Sequence, residues 1–303
     1  MMLKFSRARG MKSRFLFTLA KIAINFLSTL ITIILKLFPY HGNIPKCCDE
    51  IVDYLYKLLY ITIIRAHGGS IYKVNNHKEL IILTYKRLKL LIPQDSLKIF
   101  KQIFIDEIYE QFFKVKKGDV VIDVGAHVGI FTVKAGKTVG TMGLVIALEP
   151  ENRNFTLLHH NIRSNNLDNV ILIKKAAGAT LGKTTLYISP HSNGHSIYIP
   201  SNKHYEVEVT TLDNIVNELG IKNINYVKID AEGAEIDILE GMRHILNSQN
   251  DLSVVISAYH KLDGEPEFPQ ILYFLKTQIR RKAEIKVKNG IIYVRIRGSY
   301  DRI

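Results

Sequence analysis

The 303-residue sequence has no tryptophan and only two cysteines, Cys47 and Cys48, which are neighbours in the chain. Adjacent cysteines cannot join distant parts of a fold, so the sequence lacks a disulfide framework and a cysteine-based zinc site, and it suits a reducing compartment. Disordered and collagen-like chains are also excluded, because 47% of the residues are hydrophobic and 23% are charged. The sequence therefore predicts a globular protein of one or two domains.

Acidic residues are absent from residues 1–46, which contain eight of the 41 lysines and arginines. The net charge is +13, and the rest of the chain has 33 basic residues against all 28 acidic ones. An anionic partner is therefore expected at residues 1–46. A nucleic-acid-binding protein is the non-enzymatic alternative, but it would need basic and aromatic residues interleaved along the whole chain, so no nucleic acid is expected.

Residues 15–38 form an apolar stretch that Pro39 ends. No small-residue cleavage site of a signal peptide follows, and the longest uncharged run, Ile22 to Leu35, has 14 residues where a membrane span needs about 20. Polar residues recur at steps of three and four, namely Arg14, Thr18, Lys21, Asn25, Ser28, Thr29, Thr32 and Lys36. This stripe predicts a helix that lies in a membrane interface or packs on the protein with the stripe facing water. We therefore expect the protein to reside in the cytoplasm, peripheral on the cytosolic face of a membrane.

Residues 47–114 are predicted to form an N-terminal extension made of helices and a β-hairpin. A second apolar helix covers Ile51–Ile64, and two strands flank the turn signal Asn75-Asn76. A further helix is expected from Asp95 or Ser96 to about Phe113. The predicted domains are thus 1–46, 47–114 and a catalytic domain at 115–303.

From Val120 onward, short apolar strands alternate with helices, which is typical of a parallel sheet covered on both faces. A hairpin at Asn289-Gly290 adds antiparallel strands at the end. Residues 178–211 interrupt the alternation with two more strands, and inserts at this edge of such sheets lie over the ligand crevice. We call residues 178–211 the insert. The predicted strands of the parallel part are Val120–Val124, Leu144–Leu148, Val170–Lys174, Tyr226–Ile229 and Ser253–Ser257.

Two strand ends indicate a nucleoside site. The first strand ends in Asp123-Val124-Gly125-Ala126-His127-Val128-Gly129, a glycine-containing strand–helix turn. His127 stands where a dinucleotide fingerprint has glycine, which disfavours the alternative enzyme class, a nicotinamide-dependent oxidoreductase. Glu149 ends the second strand, 24 residues after Gly125, where an acid accepts ribose hydroxyls or simply favours the start of a helix.

The fourth parallel strand ends in Lys228-Ile229-Asp230-Ala231-Glu232-Gly233-Ala234-Glu235. Asp230 is expected to point into the crevice and to bind substrate, take a proton or bind a metal. Glu232 and Glu235 are expected in the first turn of the following helix. The sequence shows no clustered histidine and aspartate triad typical of a catalytic metal site, so no metal is predicted.

In order and spacing, these motifs resemble the FkbM-type S-adenosylmethionine-dependent methyltransferases over about residues 116–275. The resemblance implies an α/β, Rossmann-like class I methyltransferase fold with a mostly parallel seven-stranded sheet and an antiparallel last strand. It implies S-adenosylmethionine as the cofactor and a hydroxyl of a saccharide, a glycolipid or a similar small molecule as the acceptor. The residues implied to bind the cofactor are Asp123, Gly125, Ala126, His127 and Gly129 for its methionine part, Glu149 for its ribose, and Ala176 and Ala177 for its adenine.

A sugar hydroxyl is a poor nucleophile at neutral pH, so methyl transfer needs a positioned base. The candidates are Asp230, then His260 after the fifth parallel strand, then His195 in the insert. Either histidine is otherwise a solvated loop residue. The sequence indicates neither the acceptor itself nor the oligomeric state.

Overall fold

The computed structural model describes residues 22–32, 46–74, 77–262 and 264–298. The chain divides into two compact units, Met1–Asp106 and Glu107–Ile303. Of the helices in these ranges, none combines the length and the apolar character that crossing a membrane requires. The predicted domain boundaries at residues 46 and 114 stay predictions.

The first unit combines helices with a small antiparallel sheet of order β1-β2-β3. On the second helix, Asp53 and Lys57 form an i,i+4 ion pair at 2.6 Å. The predicted turn at Asn75-Asn76 lies outside the described residues. The elements are α1 (22–32), α2 (Lys46–Ala66), β1 (Gly69–Val74), β2 (His77–Tyr85), β3 (Leu88–Pro93) and α3 (Leu97–Phe104).

The second unit is built on a seven-stranded sheet, and its strands are β4 (Val120–Val124), β5 (Leu144–Leu148), β6 (Val170–Ile173), β10 (Tyr226–Ile229), β11 (Asp251–Ser257), β14 (Lys282–Lys288) and β15 (Ile291–Arg297). The strand order is β14-β15-β11-β10-β4-β5-β6. The neighbours from β11 to β6 are parallel, whereas β15 is antiparallel to both β11 and β14. The predicted mostly parallel sheet with an antiparallel last strand is therefore confirmed.

The remaining elements of the second unit are helices along the sheet and short strands of the insert and loops. They are α4 (Ile130–Val139), α5 (Asn152–Ser164), β7 (Ala176–Ala177), β8 (Gly182–Tyr187), β9 (His204–Thr210), α6 (Leu212–Glu218), α7 (Glu235–Glu240), α8 (Arg243–Ser248), β12 (Lys261–Leu262), β13 (Glu265–Pro266) and α9 (Phe268–Gln278). β7, β9 and β8 form a separate sheet, and β12 pairs with β13.

The two faces of the sheet are covered by different helices. Ile122 and Val124 of β4 belong to one apolar cluster with buried residues of α6, α7, α8 and α9. Because side chains alternate along a strand, Asp123 points to the other face, where it meets Thr132 of α4. The parallel strands are thus buried on both sides, and their carboxyl ends are left to form a site.

Candidate active site

The loop after β4, residues 125–129, needs its two glycines for its shape. Gly125 has φ +70°, and a Cβ atom there would lie 1.9 Å from the carbonyl oxygen of Asp230. Gly129 has φ +86°, and a Cβ atom there would lie 2.5 Å from Cδ1 of Leu158 on α5. Gly129 therefore allows α4 to approach α5, while Gly125 puts the loop in direct backbone contact with Asp230 at the end of β10.

Glu149 follows β5 and connects the loop to this second strand end. Its Oε2 accepts a hydrogen bond from the His127 N–H at 2.8 Å, and its Oε1 accepts one from the Glu151 N–H at 2.9 Å. A carboxylate has about four acceptor positions, so capacity for two hydroxyl donors remains. Burial raises the pKa of Glu149 to about 7. The position and the free acceptor capacity fit the predicted contact with a ribose.

Asp123, predicted to hold the methionine part of the cofactor, is completely buried. Its Oδ2 accepts a hydrogen bond from the Thr132 hydroxyl at 2.6 Å, and its Oδ1 forms an ion pair with Lys228 Nζ at 3.1 Å. Lys228 is its direct neighbour on β10 and also donates to the carbonyl oxygens of Val124 at 3.1 Å and Gly125 at 2.7 Å. This geometry favours an indirect role, in which Asp123 holds the lysine that fixes the loop.

The three alanines implied to bind the cofactor are all buried. The N–H of Ala126 donates to the carbonyl oxygen of Leu148 at 2.9 Å, which ties the loop to β5. Ala176 and Ala177 form β7, which pairs with β9 of the insert region. Their place beside an adenine ring stays a prediction.

Asp230, Glu232, Glu235 and His260 form a group that we call the carboxylate–histidine cluster. Nδ1 of His260 lies 3.0 Å from Oε1 of Glu235, while its Nε2 lies 3.4 Å from Oε2 of Glu232 and 3.8 Å from Oδ1 of Asp230. The residues come together because β10 and β11 are adjacent parallel strands. Glu235 begins α7, but Glu232 precedes the helix with φ +50°, so only Glu235 lies in the predicted helical turn.

The electrostatics of the cluster separate the two leading candidates for the base. Burial by itself would raise the pKa of Asp230, but Lys228 and His260 outweigh it and hold this pKa below its ordinary value. Burial would lower the pKa of His260, but Glu232, Glu235 and Asp230 outweigh it and raise this pKa to about 11. Asp230 is therefore ionised and His260 protonated at neutral pH, which favours Asp230 as the group that receives a hydrogen bond from an acceptor.

Two tyrosines that the motifs did not indicate hold Asp230. The Tyr109 hydroxyl donates to Oδ2 at 2.6 Å, and the Tyr259 hydroxyl donates to Oδ1 at 3.3 Å. Tyr109 is itself fixed, because the Tyr226 hydroxyl donates to its carbonyl oxygen and Phe131 contacts its ring edge-on, with the ring centroids 5.6 Å apart. Tyr259 directly precedes one of the predicted histidines, but Tyr109 lies before the first motif, where no pattern marked it.

The insert contacts both the loop after β4 and the carboxylate–histidine cluster. Ser192 Oγ lies 3.0 Å from Nε2 of His127, and the Ser192 carbonyl oxygen accepts a hydrogen bond from Asn154 Nδ2 at 2.8 Å. Further along, the Ser196 hydroxyl donates to the carbonyl oxygen of Glu232 at 2.6 Å. The insert is therefore attached on both sides of the strand ends where cofactor and acceptor are expected.

His195 lies between these two attachments. Its Nδ1 accepts a hydrogen bond from the Ser189 N–H at 3.0 Å, so the ring is engaged within the insert. The structure thus brings Asp230 and His260 together, whereas this contact of His195 is with its own segment. The role of His195 as a base stays a prediction.

A family comparison agrees with these strand ends. The model of the family described as Methyltransferase FkbM domain matches residues 123–283, which is more than half of the chain. The chain belongs to the FkbM domain methyltransferase family. It is accordingly a methyltransferase whose cofactor is S-adenosylmethionine.

Individual relatives and solved structures share low sequence identity with this chain. This FkbM domain methyltransferase is 27% identical over 166 residues to "Methyltransferase 1" of Beauveria bassiana. The aligned region covers 48% of this chain and 66% of that protein. The chain is 26% identical over 145 residues to "Hexuronic acid methyltransferase AglP" of Haloferax volcanii, covering 48% of this chain and 59% of that protein. The chain thus spans about two thirds or less of the length of these relatives. A structure of Aeropyrum pernix fibrillarin with bound S-adenosyl-L-methionine aligns with TM-score 0.42 and 9% identity, over 74% of this chain and 97% of that chain.

We expect the affinity for S-adenosylmethionine to rise by about tenfold between pH 6 and pH 8, because the ionised Glu149 accepts ribose hydroxyls better than the neutral acid. The stability of the folded protein changes with pH in the opposite direction. Because the pKa of Glu149 is raised on folding, this group stabilises the folded protein fully below pH 4.5, its ordinary pKa, and the contribution is lost as the pH rises through about 7. Calorimetry at pH 6, 7 and 8 measures the affinity. In Glu149→Gln the profile should be flat and the binding weaker; an unchanged slope in this variant would contradict the assignment.

Proposed function

We propose that this FkbM domain methyltransferase transfers a methyl group from S-adenosylmethionine to a hydroxyl of a saccharide, a glycolipid or a related acceptor. The observation that carries the proposal is the backbone contact between Gly125 and Asp230, since it puts the cofactor loop beside an ionised carboxylate. One relative is named as a methyltransferase of hexuronic acid, a sugar acid. A sugar hydroxyl is therefore the acceptor class that we favour.

The residues at three strand ends suit an adenosyl cofactor. Glu149 would accept the ribose hydroxyls, the loop 125–129 would hold the methionine part, and Ala176 and Ala177 would flank the adenine. When bound, S-adenosylmethionine supplies an electrophilic methyl group on a positively charged sulfur. Asp123 would act indirectly: it pairs with Lys228, and Lys228 donates hydrogen bonds to two carbonyl oxygens where β4 meets the loop.

Asp230 is the residue to which we assign the acceptor hydroxyl. Tyr109 and Tyr259 hold its carboxylate, and about a fifth of the side chain is exposed to the crevice. A carboxylate in this position accepts a hydrogen bond from the hydroxyl and orients its lone pair for in-line attack. As the new O–C bond forms and the C–S bond breaks, the oxygen becomes strongly acidic, so its proton passes to a carboxylate without a strong base being present.

The experiment that tests the proposed function uses S-adenosylmethionine labelled in the methyl group and a panel of saccharides and glycolipids. We expect label in a methyl ether and none with the matching deoxy-sugar. Asp230→Asn should lower turnover by at least about 100-fold while the cofactor affinity changes by less than about threefold. Glu240→Gln is the matched control and should keep turnover, because Glu240 is on α7 but its carboxylate pairs with Arg243 and not with the cluster. Binding of nicotinamide dinucleotide in place of S-adenosylmethionine would reject the proposal.

We also propose that residues 1–46 attach the enzyme to an anionic membrane surface. Two observations support this: the segment has eight basic and no acidic residues, and Ile22 and Phe26 are exposed on α1. Such a helix gains from apolar burial and from about 1 kcal/mol per basic residue near anionic lipid.

We expect the full chain to sediment with vesicles containing phosphatidylserine and not with pure phosphatidylcholine, and added salt should release it. Deleting residues 1–39 should abolish sedimentation while S-adenosylmethionine binding remains. The double variant Ile22→Ser/Phe26→Ser, with all charges kept, should reduce it. Equal sedimentation of the full and the shortened chain would contradict the proposal.

A further inference from the structure

The carboxylate–histidine cluster contains a set of atoms that suits a metal ion. We propose that Asp230 Oδ1, Glu232 Oε2 and His260 Nε2 bind a divalent cation of the Mg²⁺, Mn²⁺ or Zn²⁺ kind. These atoms all lie within 4.8 Å of one another. One imidazole nitrogen with two carboxylate oxygens is a donor set that such cations accept in proteins.

The separations between the three atoms fit a shared ion better than direct hydrogen bonds. Nε2 of His260 lies 3.4 Å from the Glu232 oxygen and 3.8 Å from the Asp230 oxygen. A charge-assisted N–H···O bond is shorter, about 2.7–2.9 Å. Ligand atoms bound at about 2.0–2.2 Å to one ion lie about 3–4 Å apart, which is the range of the two distances from His260 Nε2.

A second, independent observation is the state of the His260 ring, which is only 8% exposed. Its Nδ1 is held by Glu235 at 3.0 Å, whereas Nε2 is buried and has no hydrogen-bond partner within the described part of the chain. The cation would displace the proton from Nε2, since a metal ligand must be deprotonated, and the carboxylate on Nδ1 then fixes the imidazole so that Nε2 presents its lone pair to the metal. Glu235 thus orients the proposed ligand.

Asp230 is prepared in the same way. The Tyr109 hydroxyl donates to Oδ2 at 2.6 Å and the Tyr259 hydroxyl donates to Oδ1 at 3.3 Å, and Oδ1 keeps a further acceptor position on the side of His260. The side chains of Asp230 and Glu232 are 20% and 24% exposed, so an ion between them would face the crevice. Three protein ligands leave further positions for water or for an oxygen of the acceptor.

The neighbouring set of Glu235, His260 and Glu267 also lies within ligand distance but is less suitable. Both oxygens of Glu235 already accept hydrogen bonds, from the N–H groups of Ala231 and Gly233. Glu267 is 1% exposed, and burial together with Glu235 raises its pKa, so it is neutral more readily than an ordinary glutamate. An ion there would have no open position for an acceptor.

The consequence for catalysis rests on the proposed function, although the binding of the cation does not. An acceptor hydroxyl oxygen on the cation is more acidic than a free one. The hydroxyl proton leaves to water or to a carboxylate, the oxygen forms the bond to the methyl carbon, and the C–S electron pair stays on sulfur. The acceptor oxygen would then contact the cation rather than Asp230 directly.

The test is a titration of the EDTA-treated full chain with Mn²⁺, followed by electron paramagnetic resonance, with no cofactor or acceptor present. We expect one bound Mn²⁺ at micromolar concentrations and competition by Mg²⁺ or Zn²⁺. Glu232→Gln and His260→Gln should weaken binding by at least about tenfold to 100-fold, and so should Glu235→Gln through the ring orientation. Glu240→Gln is the control and should bind as the wild type does.

Thermal unfolding separates loss of ligands from loss of fold. Mn²⁺ should raise the unfolding midpoint of the wild type and of Glu240→Gln but not that of Glu232→Gln. No binding below about millimolar Mn²⁺, or binding unaffected by Glu232→Gln and His260→Gln, would overturn the site and leave the cluster neutralised by a proton on His260. If the site binds Mn²⁺ but EDTA-treated enzyme methylates the acceptor found in the labelling panel as fast as the metal-loaded enzyme does, the activating role is overturned and the cation site stands.

Discussion

Lys228→Met should lower the thermal unfolding midpoint of this protein by roughly 6–20 °C, the largest stability effect that we expect of a single substitution in the site. The physical reason is the buried ion pair between Lys228 and Asp123 at 3.1 Å. Removing one member leaves the other charge buried without a counter-charge, which costs about 3–5 kcal/mol. Scanning calorimetry measures the midpoint. S-adenosylmethionine binding should also weaken, since Lys228 holds the carbonyl oxygens of Val124 and Gly125.

The double variant Asp123→Asn/Lys228→Met is the informative control. Asp123→Asn alone leaves a buried lysine that still has two carbonyl partners, so we expect a smaller loss than in Lys228→Met. In the double variant no uncompensated charge remains, so its midpoint should lie above that of Lys228→Met. Strictly additive losses would show that the two residues do not act as a pair.

The sheet was predictable from the sequence because its strands are buried on both faces. Val120–Val124, Leu144–Leu148 and Tyr226–Ile229 have the predicted bounds. A fully buried strand is a continuous apolar run, and the helix starts and turn signals around it leave little freedom for its ends. The tail hairpin was predictable for a different reason, namely that Asn289-Gly290 supplies the two positive φ angles of its turn.

Elements that depend on distant contacts were not predictable in the same way. The helix expected after the fourth parallel strand is broken at Gly241 into α7 and α8, and a Cβ atom at Gly241 would lie 2.0 Å from the carbonyl oxygen of Gly178. The Gly241 carbonyl oxygen also accepts the Asp213 N–H at 3.0 Å, which ties this break to the start of α6. The strand β3 was missed because its turn contains Lys86 with φ +54° and no glycine or asparagine.

Some residues of the candidate site were predictable from the sequence and others were not, for the same reasons. Asp123, Glu149 and Asp230 were predictable because each ends an apolar strand, and parallel strands end at one edge of the sheet. The contact of His260 with Glu232 and Glu235 depends on how two loops fold back over that edge, and Tyr109 reaches Asp230 from 121 residues away. Spacing along the chain has no information on such contacts, so the proposed cation site could be found only in three dimensions.

We expect Gly125→Ala to weaken S-adenosylmethionine binding by roughly 5- to 150-fold, because the methyl group would lie 1.9 Å from the carbonyl oxygen and 2.9 Å from the carbonyl carbon of Asp230. Backbone atoms on both sides cannot move aside cheaply, and overpacking of this kind costs about 1–3 kcal/mol. The loop 125–129 or the end of β10 must shift. Since Asp230 is at that strand end, turnover should fall as well as affinity. Calorimetry with S-adenosylmethionine and a turnover assay measure the two effects.

Gly220→Ala is the matched control for this substitution. Gly220 also has a positive φ, +62°, so alanine there meets the same backbone penalty of about 1 kcal/mol, but a Cβ atom would have no neighbour within 4 Å. We expect Gly220→Ala to lower stability slightly and to leave cofactor affinity and turnover unchanged. If both variants bound S-adenosylmethionine as the wild type does, the contact between the loop and Asp230 would not be what joins the cofactor site to the acceptor site. If Gly125→Ala fails to bind while its unfolding midpoint stays close to that of Gly220→Ala, the effect lies in the geometry of the site and not in the stability of the fold.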